Sequence, residues 1–224
     1  MQKQIELKIP TSYEDITLRK WLELQKDLKN YDGDEEATTA VLLLHLCGLS
    51  PEYLTGISLD DYNLLKYELL QFIGKTDLEL QRFVNIDGVE YGFEPNLSQM
   101  SYGAYADITK HTNITIDENW PKIMNILYRP VETKSMGNYS ITKYEGGKGE
   151  EKWLDVPMHI HFGALFFLFN LLTDLLSATL KYSMAGEVPH QYKKILERSG
   201  EAILQLLSSQ ITISPASTLS LKNL

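Results

Sequence analysis

Several short stretches of this chain carry residue types that can do chemistry, and each is read against the spacing that chemistry demands. Asp32-Gly33-Asp34-Glu35-Glu36 offers carboxylates of the kind that hold calcium. A calcium loop needs oxygen ligands at alternating positions, a central glycine and a distant bidentate glutamate. The run lacks that spacing and reads as a turn followed by an acidic helix start, where the helix dipole favours negative charge. Glu145-Gly146-Gly147-Lys148-Gly149-Glu150 joins glycines to a lysine, as phosphate loops do. A P-loop, however, places Ser or Thr directly after its lysine and opens a helix. Gly149 follows Lys148 here, so the segment reads as a loop tip. His159 and His161 stand two apart, whereas zinc ligands on a helix stand three or four apart; they read as lining the entry of a buried helix. His45 and Cys47, also two apart, fall on different faces of a helix and make no dyad. Tyr91, Phe93, Tyr102 and Tyr105 resemble a stacking platform, but single-strand binders set such rings in a positive groove. The neighbours here are Glu90, Glu94 and Asp107. The residues therefore give no catalytic group, no metal ligand and no cofactor site.

Composition narrows the classes further. The 224 residues are enough for one large domain or two small ones with a real core. Hydrophobic residues at 43% and charged residues at 23% describe a globular chain rather than a disordered one. Lys+Arg 21 against Asp+Glu 30 gives a net charge of −9, which argues against direct nucleic-acid binding. Cys47 is the sole cysteine, so no intramolecular disulfide forms, and its setting Leu43-Leu44-His45-Leu46-Cys47 reads as a small buried hydrophobe. The start Met1-Gln2-Lys3-Gln4-Ile5-Glu6 has no apolar signal-peptide core. Ile160 to Leu180 is strongly apolar, but Asn170, Thr173 and Asp174 interrupt it, so it reads as a central core helix and not a membrane span.

The elements that must position these residues announce themselves through one repeated phrase. An apolar residue, Ser or Thr, an aromatic four residues on and an aliphatic three further recur as Ile16-Thr17…Trp21…Leu24, Ile57-Ser58…Tyr62…Leu65 and Met100-Ser101…Tyr105…Ile108. The hydroxyl caps a helix N-terminus, and the flanking apolar pair forms a hydrophobic staple. Helices are thus expected from Thr17 to about Asn30, from Asp34 to Gly48, from Ser58 to Gly74 and from Ser101 to about His111. Others are expected from near Asp117 to Tyr128, from about Pro157 to Tyr182 and from near Val188 to Ser208. Phe83 to Phe93 is expected as a hairpin turning at Asp87-Gly88, and Lys3 to Ile9 as a half-buried strand ended by Pro10. Arg129 to Val156 shows no helix period and reads as a long loop, with a possible strand at Tyr139 to Tyr144. The expected fold class is mainly α (α+β): about six to seven helices with a small β-hairpin and an N-terminal strand. Residues 1–209 are read as a single mainly helical domain, with a long loop at 129–156, and 210–224 as a C-terminal extended tail.

The order Ile9-Pro10-Thr11-Ser12-Tyr13-Glu14-Asp15-Ile16-Thr17-Leu18, Phe93-Glu94-Pro95-Asn96, Met100-Ser101-Tyr102-Gly103-Ala104-Tyr105-Ala106-Asp107, Ile126-Leu127-Tyr128-Arg129-Pro130, Pro157-Met158 and Gly163-Ala164-Leu165-Phe166-Phe167 resembles virion and morphogenesis proteins of tailed bacteriophages. Such proteins are encoded among head, neck and tail genes, including in crAss-like phages, and the resemblance runs from Ile9 to about Leu180. It implies a non-enzymatic structural protein of the head–tail connector or tail region, made in the host cytoplasm and located in the virion. The implied partners are other phage structural proteins and further copies in an oligomer or ring, with no nucleic acid bound directly and no membrane. The alternatives are a tail or baseplate assembly chaperone absent from the mature virion, and an enzyme using the 129–156 loop as a lid over Asp155, His159 and His161. The β-prone ends suggest docking on neighbours by strand addition, through Ile5, Leu7 and Ile9 at one end and Ile211, Ile213, Leu219 and Leu221 at the other.

Overall fold

The elements follow the chain as α1 (Leu18–Leu28), α2 (Glu35–Cys47), α3 (Pro51–Leu54), α4 (Leu59–Ile73), β1 (Phe83–Ile86), β2 (Val89–Phe93), α5 (Tyr102–Thr109), α6 (Trp120–Leu127), β3 (Tyr128–Ser135), β4 (Asn138–Ile141) and α7 (Met158–Ala185), with short 3-10 turns between them. This computed structural model describes residues 9–31, 33–74, 78–110 and 115–185, and the side chains among them except at 109, 172 and 175–185. The expected mainly helical α+β class is what the structure has. The expected helix from Val188, the tail and residues 3–8 of the expected first strand lie outside the described residues; Ile9 is half-buried and in no regular element.

All three repeated phrases start helices as their spacing requires. Thr17 caps α1 by accepting from Lys20 N (3.4 Å), Ser58 caps α4 from Asp61 N (3.1 Å), and Ser101 caps α5 from Ala104 N (3.3 Å). Each satisfies an N–H that the first helical turn leaves without a partner. The staples differ in depth: Ile16, Trp21 and Leu24 are buried, whereas the residues of the other two copies are half-buried. Asp34 caps α2 through Ala37 N (3.0 Å), and Gly48 ends it at φ 71°. There Gly48 N reaches back to Leu44 O (3.0 Å) and Leu49 N to Leu43 O (3.1 Å), which satisfies carbonyls that the last helical turn leaves open.

The described contacts fall into two compact units, where the sequence reading took 1–209 as one domain. In the first, residues 9–74 join 154–159. Leu18 N donates to Val156 O and Met158 N to Ile16 O, which ties the 154–159 segment to the start of α1. Tyr13 is the hub: its ring meets Phe72 at 4.7 Å and Trp21 at 6.1 Å, and its hydroxyl donates to Ile73 O (3.0 Å). A buried phenol needs such a partner, because an unmet hydroxyl in an apolar setting is costly.

The second unit takes in residues 79–153 and α7 from Ile160 onward. Its sheet is an antiparallel meander in the order β1-β2-β3-β4. The first hairpin turns at Asp87 (φ 52°) and Gly88 (φ 81°), the type I′ geometry its sequence predicts. Residues 129–156, expected as a long loop with a strand at Tyr139 to Tyr144, hold most of a second hairpin, whose β4 covers the first part of that strand, and a 3-10 turn at Glu150–Asp155. Its turn residues, Met136 (φ 47°) and Gly137 (φ 85°), again take type I′ geometry. A bulge at Glu132, between the Val131–Ile141 and Thr133–Ser140 pairs, bends β3. The distal hairpin then folds back: Tyr139 lies over Gly92 and meets Phe83 at 4.7 Å, while Lys134 Nζ sits 3.6 Å over the Phe83 ring. Helix α6 begins at Trp120 rather than near Asp117, with Pro121 in its first turn. Along α7, Asp174 is exposed, as the interrupted apolar run predicts, and among the described residues no helix is long and apolar enough to cross a membrane.

Candidate functional site

Of the residues singled out above, Asp155, His161 and His45 each meet a partner of their own, whereas among the described residues His159 Nδ1 is buried without a hydrogen-bond partner. Asp155 forms a bidentate pair with Arg19 (Nε–Oδ1 2.9 Å, Nη2–Oδ2 2.9 Å), and that guanidinium holds its carboxyl below the usual range. His161 is fully buried and accepts from Trp120 Nε1 at 3.1 Å. His159 is half-buried; burial lowers its pKa, and the nearby Glu14 charge opposes the shift. Asp155 and His161 are thus spoken for by Arg19 and Trp120. His45 Nε2 contacts Asp27 Oδ2 at 2.7 Å, while burial pushes the Cys47 thiol up. Among the described residues no group of three or more His, Cys, Asp or Glu side chains is placed to hold a metal ion. Of the expected docking residues only Ile9 is described; Ile5, Leu7, Ile211, Ile213, Leu219 and Leu221 lie outside the described residues.

The 145–150 segment is held in place rather than aimed at a ligand. Asn125, on α6 and buried, donates through Nδ2 to Lys148 O (3.1 Å). Its Oδ1 accepts from Lys152 Nζ and from Trp153 Nε1 (3.3 Å). Lys152 also donates to Gly149 O (2.8 Å), and burial lowers its pKa. One amide side chain thereby pins the loop and seats Trp153, whose ring meets Tyr128 at 5.3 Å and Tyr91 at 5.7 Å.

A further feature, which no spacing in the sequence marked, lies in the second unit. A groove of about 410 Å³ opens between residues 80–82, the 93–98 turn, the 137–139 hairpin tip and α7 at Phe167 and Leu171. Its carboxylate, Glu94, pairs with Arg129; their side chains are 9% and 11% exposed. Glu94 Oε1 also accepts from Asn96 N (3.3 Å). A mostly desolvated pair of this kind needs such extra hydrogen bonds, since removing one partner leaves a buried charge and costs about 3–5 kcal/mol. Nearby, Tyr139 donates to Phe93 O (2.5 Å), and burial raises its pKa, Arg82 opposing and Glu94 adding to the rise. Tyr144 donates to Asp107 Oδ2 (2.7 Å); burial, and then that carboxylate, push its pKa up to about 12. These phenols stay protonated at neutral pH and act as donors. No family model, no curated protein and no solved structure matches this chain.

Proposed function

We propose that the chain is a non-enzymatic structural protein of a tailed bacteriophage, placed in the head–tail connector or tail region and working through protein–protein contacts. The order of short motifs between Ile9 and Leu180 supports the phage assignment. The observation that carries the contact reading is the outward side of α4. Leu64 and Tyr67, three residues apart and so on one helix face, are each 59% exposed, and Leu59 at the helix start is 73% exposed. Large apolar side chains grouped on one surface, rather than scattered singly, mark a place where another protein sits. In this reading the neighbours are other virion proteins or further copies in a ring.

Leu64→Glu combined with Tyr67→Glu tests it. Neither side chain is in the core, so melting should change little, because surface substitutions usually stay within about 0.5 kcal/mol. Incorporation into particles, measured by quantitative mass spectrometry of purified virions, should be lost. Normal incorporation of the double variant would overturn the assignment of α4. Absence of the unaltered protein from mature particles, with particles failing to form when it is deleted, would replace a virion component by an assembly chaperone.

A further inference from the structure

We propose that the groove in the second unit binds a small amphipathic carboxylate, its anionic group on Arg82 and its apolar body along Leu97, Phe167 and Leu171. The volume, about 410 Å³, falls in the range of small-molecule sites, roughly 300–1,000 Å³. Its lining mixes apolar side chains, Leu80, Leu97, Phe167 and Leu171, with a few polar groups, the mixture that fixes both affinity and orientation. The charge of the groove decides the class of ligand. Glu94 lines it, but its carboxylate is taken up by Arg129 and by the Asn96 N–H. Arg82 lines it as well, is exposed, and has no carboxylate within 4 Å among the described residues. The unmatched charge is therefore positive. A guanidinium presents a planar fork that suits a carboxylate through two parallel hydrogen bonds. The Asn138 amide, at the hairpin tip lining the same groove, adds a second polar contact within the site. A free inorganic anion would leave the Phe167 and Leu171 wall wet, and a neutral apolar molecule would leave Arg82 without its counter-charge.

The test uses the full chain and three probes: octanoate, 1-octanol and acetate, titrated separately while amide and arginine Nε shifts are followed by 1H–15N NMR. Octanoate should bind saturably and move the signals of Arg82, Leu97, Ser98 and Asn138. Octanol and acetate should bind at least tenfold more weakly, each lacking one half of the match. Arg82→Gln should weaken octanoate at least tenfold and leave octanol unchanged, with Arg82→Lys recovering part of the loss. Arg82 is exposed, so these variants should keep the spectrum of a folded protein. Octanol binding as tightly as octanoate, an undiminished octanoate affinity in Arg82→Gln, shifts confined to other regions, or no saturable binding would each overturn the proposal. None of these readouts depends on particles, so the result is separate from the fate of the virion assignment.

Discussion

Gly163 gives the most direct test of how the second unit is built, because helix propensity and packing predict opposite signs for one added methyl. In a helix interior, Gly→Ala normally stabilises by about 0.8–1.0 kcal/mol through backbone entropy. At Gly163 an added Cβ would lie 2.4 Å from Glu79 O, 3.0 Å from Glu79 C and 3.4 Å from Leu80 Cα. The first distance is about 1 Å inside ordinary van der Waals contact. The obstacle is backbone, which cannot swing aside as a side-chain tip would. Overpacking of this kind typically costs about 1–3 kcal/mol, enough to outweigh the propensity gain when the backbone must shift. Gly163→Ala should therefore destabilise, by up to about 2 kcal/mol net, and lower Tm by up to roughly 8 °C for a chain of this length. Gly103→Ala is the control: its Cβ would meet only the Tyr144 ring, Cδ1 at 3.7 Å and Cε1 at 4.0 Å, both ordinary contacts. That variant should be neutral or gain up to about 1 kcal/mol. Urea and thermal unfolding followed by circular dichroism measure both. If Gly163→Ala stabilises as much as Gly103→Ala, the backbone at Glu79 does not pass against α7 and the account of this unit fails.

Three further outcomes follow from other parts of the fold. Trp21→Ala should cost about 3–5 kcal/mol in urea unfolding, because the ring is 5% exposed and packs edge-on against Tyr13; unchanged melting would show that the first staple is not a core contact. Burial pushes the Tyr13 pKa up to about 12 from an ordinary 10.0, so the folded state holds that proton more tightly than the unfolded state. The stability this provides is complete below pH 10 and is lost as pH rises towards 12. Tyr13→Phe should lower stability at pH 8 by removing the bond to Ile73 O, and should flatten the decline between pH 10 and 12; an unaltered slope would refute the link. Met136→Asn should raise stability by up to about 1 kcal/mol, since Met136 sits at φ 47° with its side chain fully exposed, and Asn tolerates that left-handed geometry better. A lower Tm in that variant would contradict the turn type.

The elements that spacing foretold are those whose determinants lie within a few residues. Thr17, Ser58 and Ser101 each cap the helix directly after them, and Asp87-Gly88 carries the residue types that its turn needs. Of the second hairpin only part of β4 was legible, at Tyr139 to Ile141, because the cues for its turn and for β3 are weak or absent. Met136 is not a turn-forming type, and Pro130 lies inside β3, where a proline normally argues against a strand. Pairing overrides that preference: Pro130 lies opposite Tyr91, and its carbonyl accepts from Thr142 N at 2.9 Å. The Asn125 node escaped for a related reason. Its partners stand 23 to 28 residues away along the chain, and nothing local distinguishes this asparagine from a solvated one.

The groove was illegible for a deeper reason: it depends on what two positions lack. Gly92 leaves room for the Tyr139 ring, since a Cβ there would lie 2.9 Å from Tyr139 Cε2 and 3.0 Å from Ile141 Cγ2. With the ring seated on Gly92, the bulged hairpin folds back and brings Gly137, Asn138 and Tyr139 to one side of the groove. Gly163 likewise lets the chain at Glu79 and Leu80 lie against α7, so that Leu80 and Arg82 come near Phe167, one helical turn further along. Neither glycine has a φ in the left-handed region. Turn chemistry therefore gives no reason for either, and close approach does. Four segments thus come together around two missing methyl groups, and Arg82 lines the space between them.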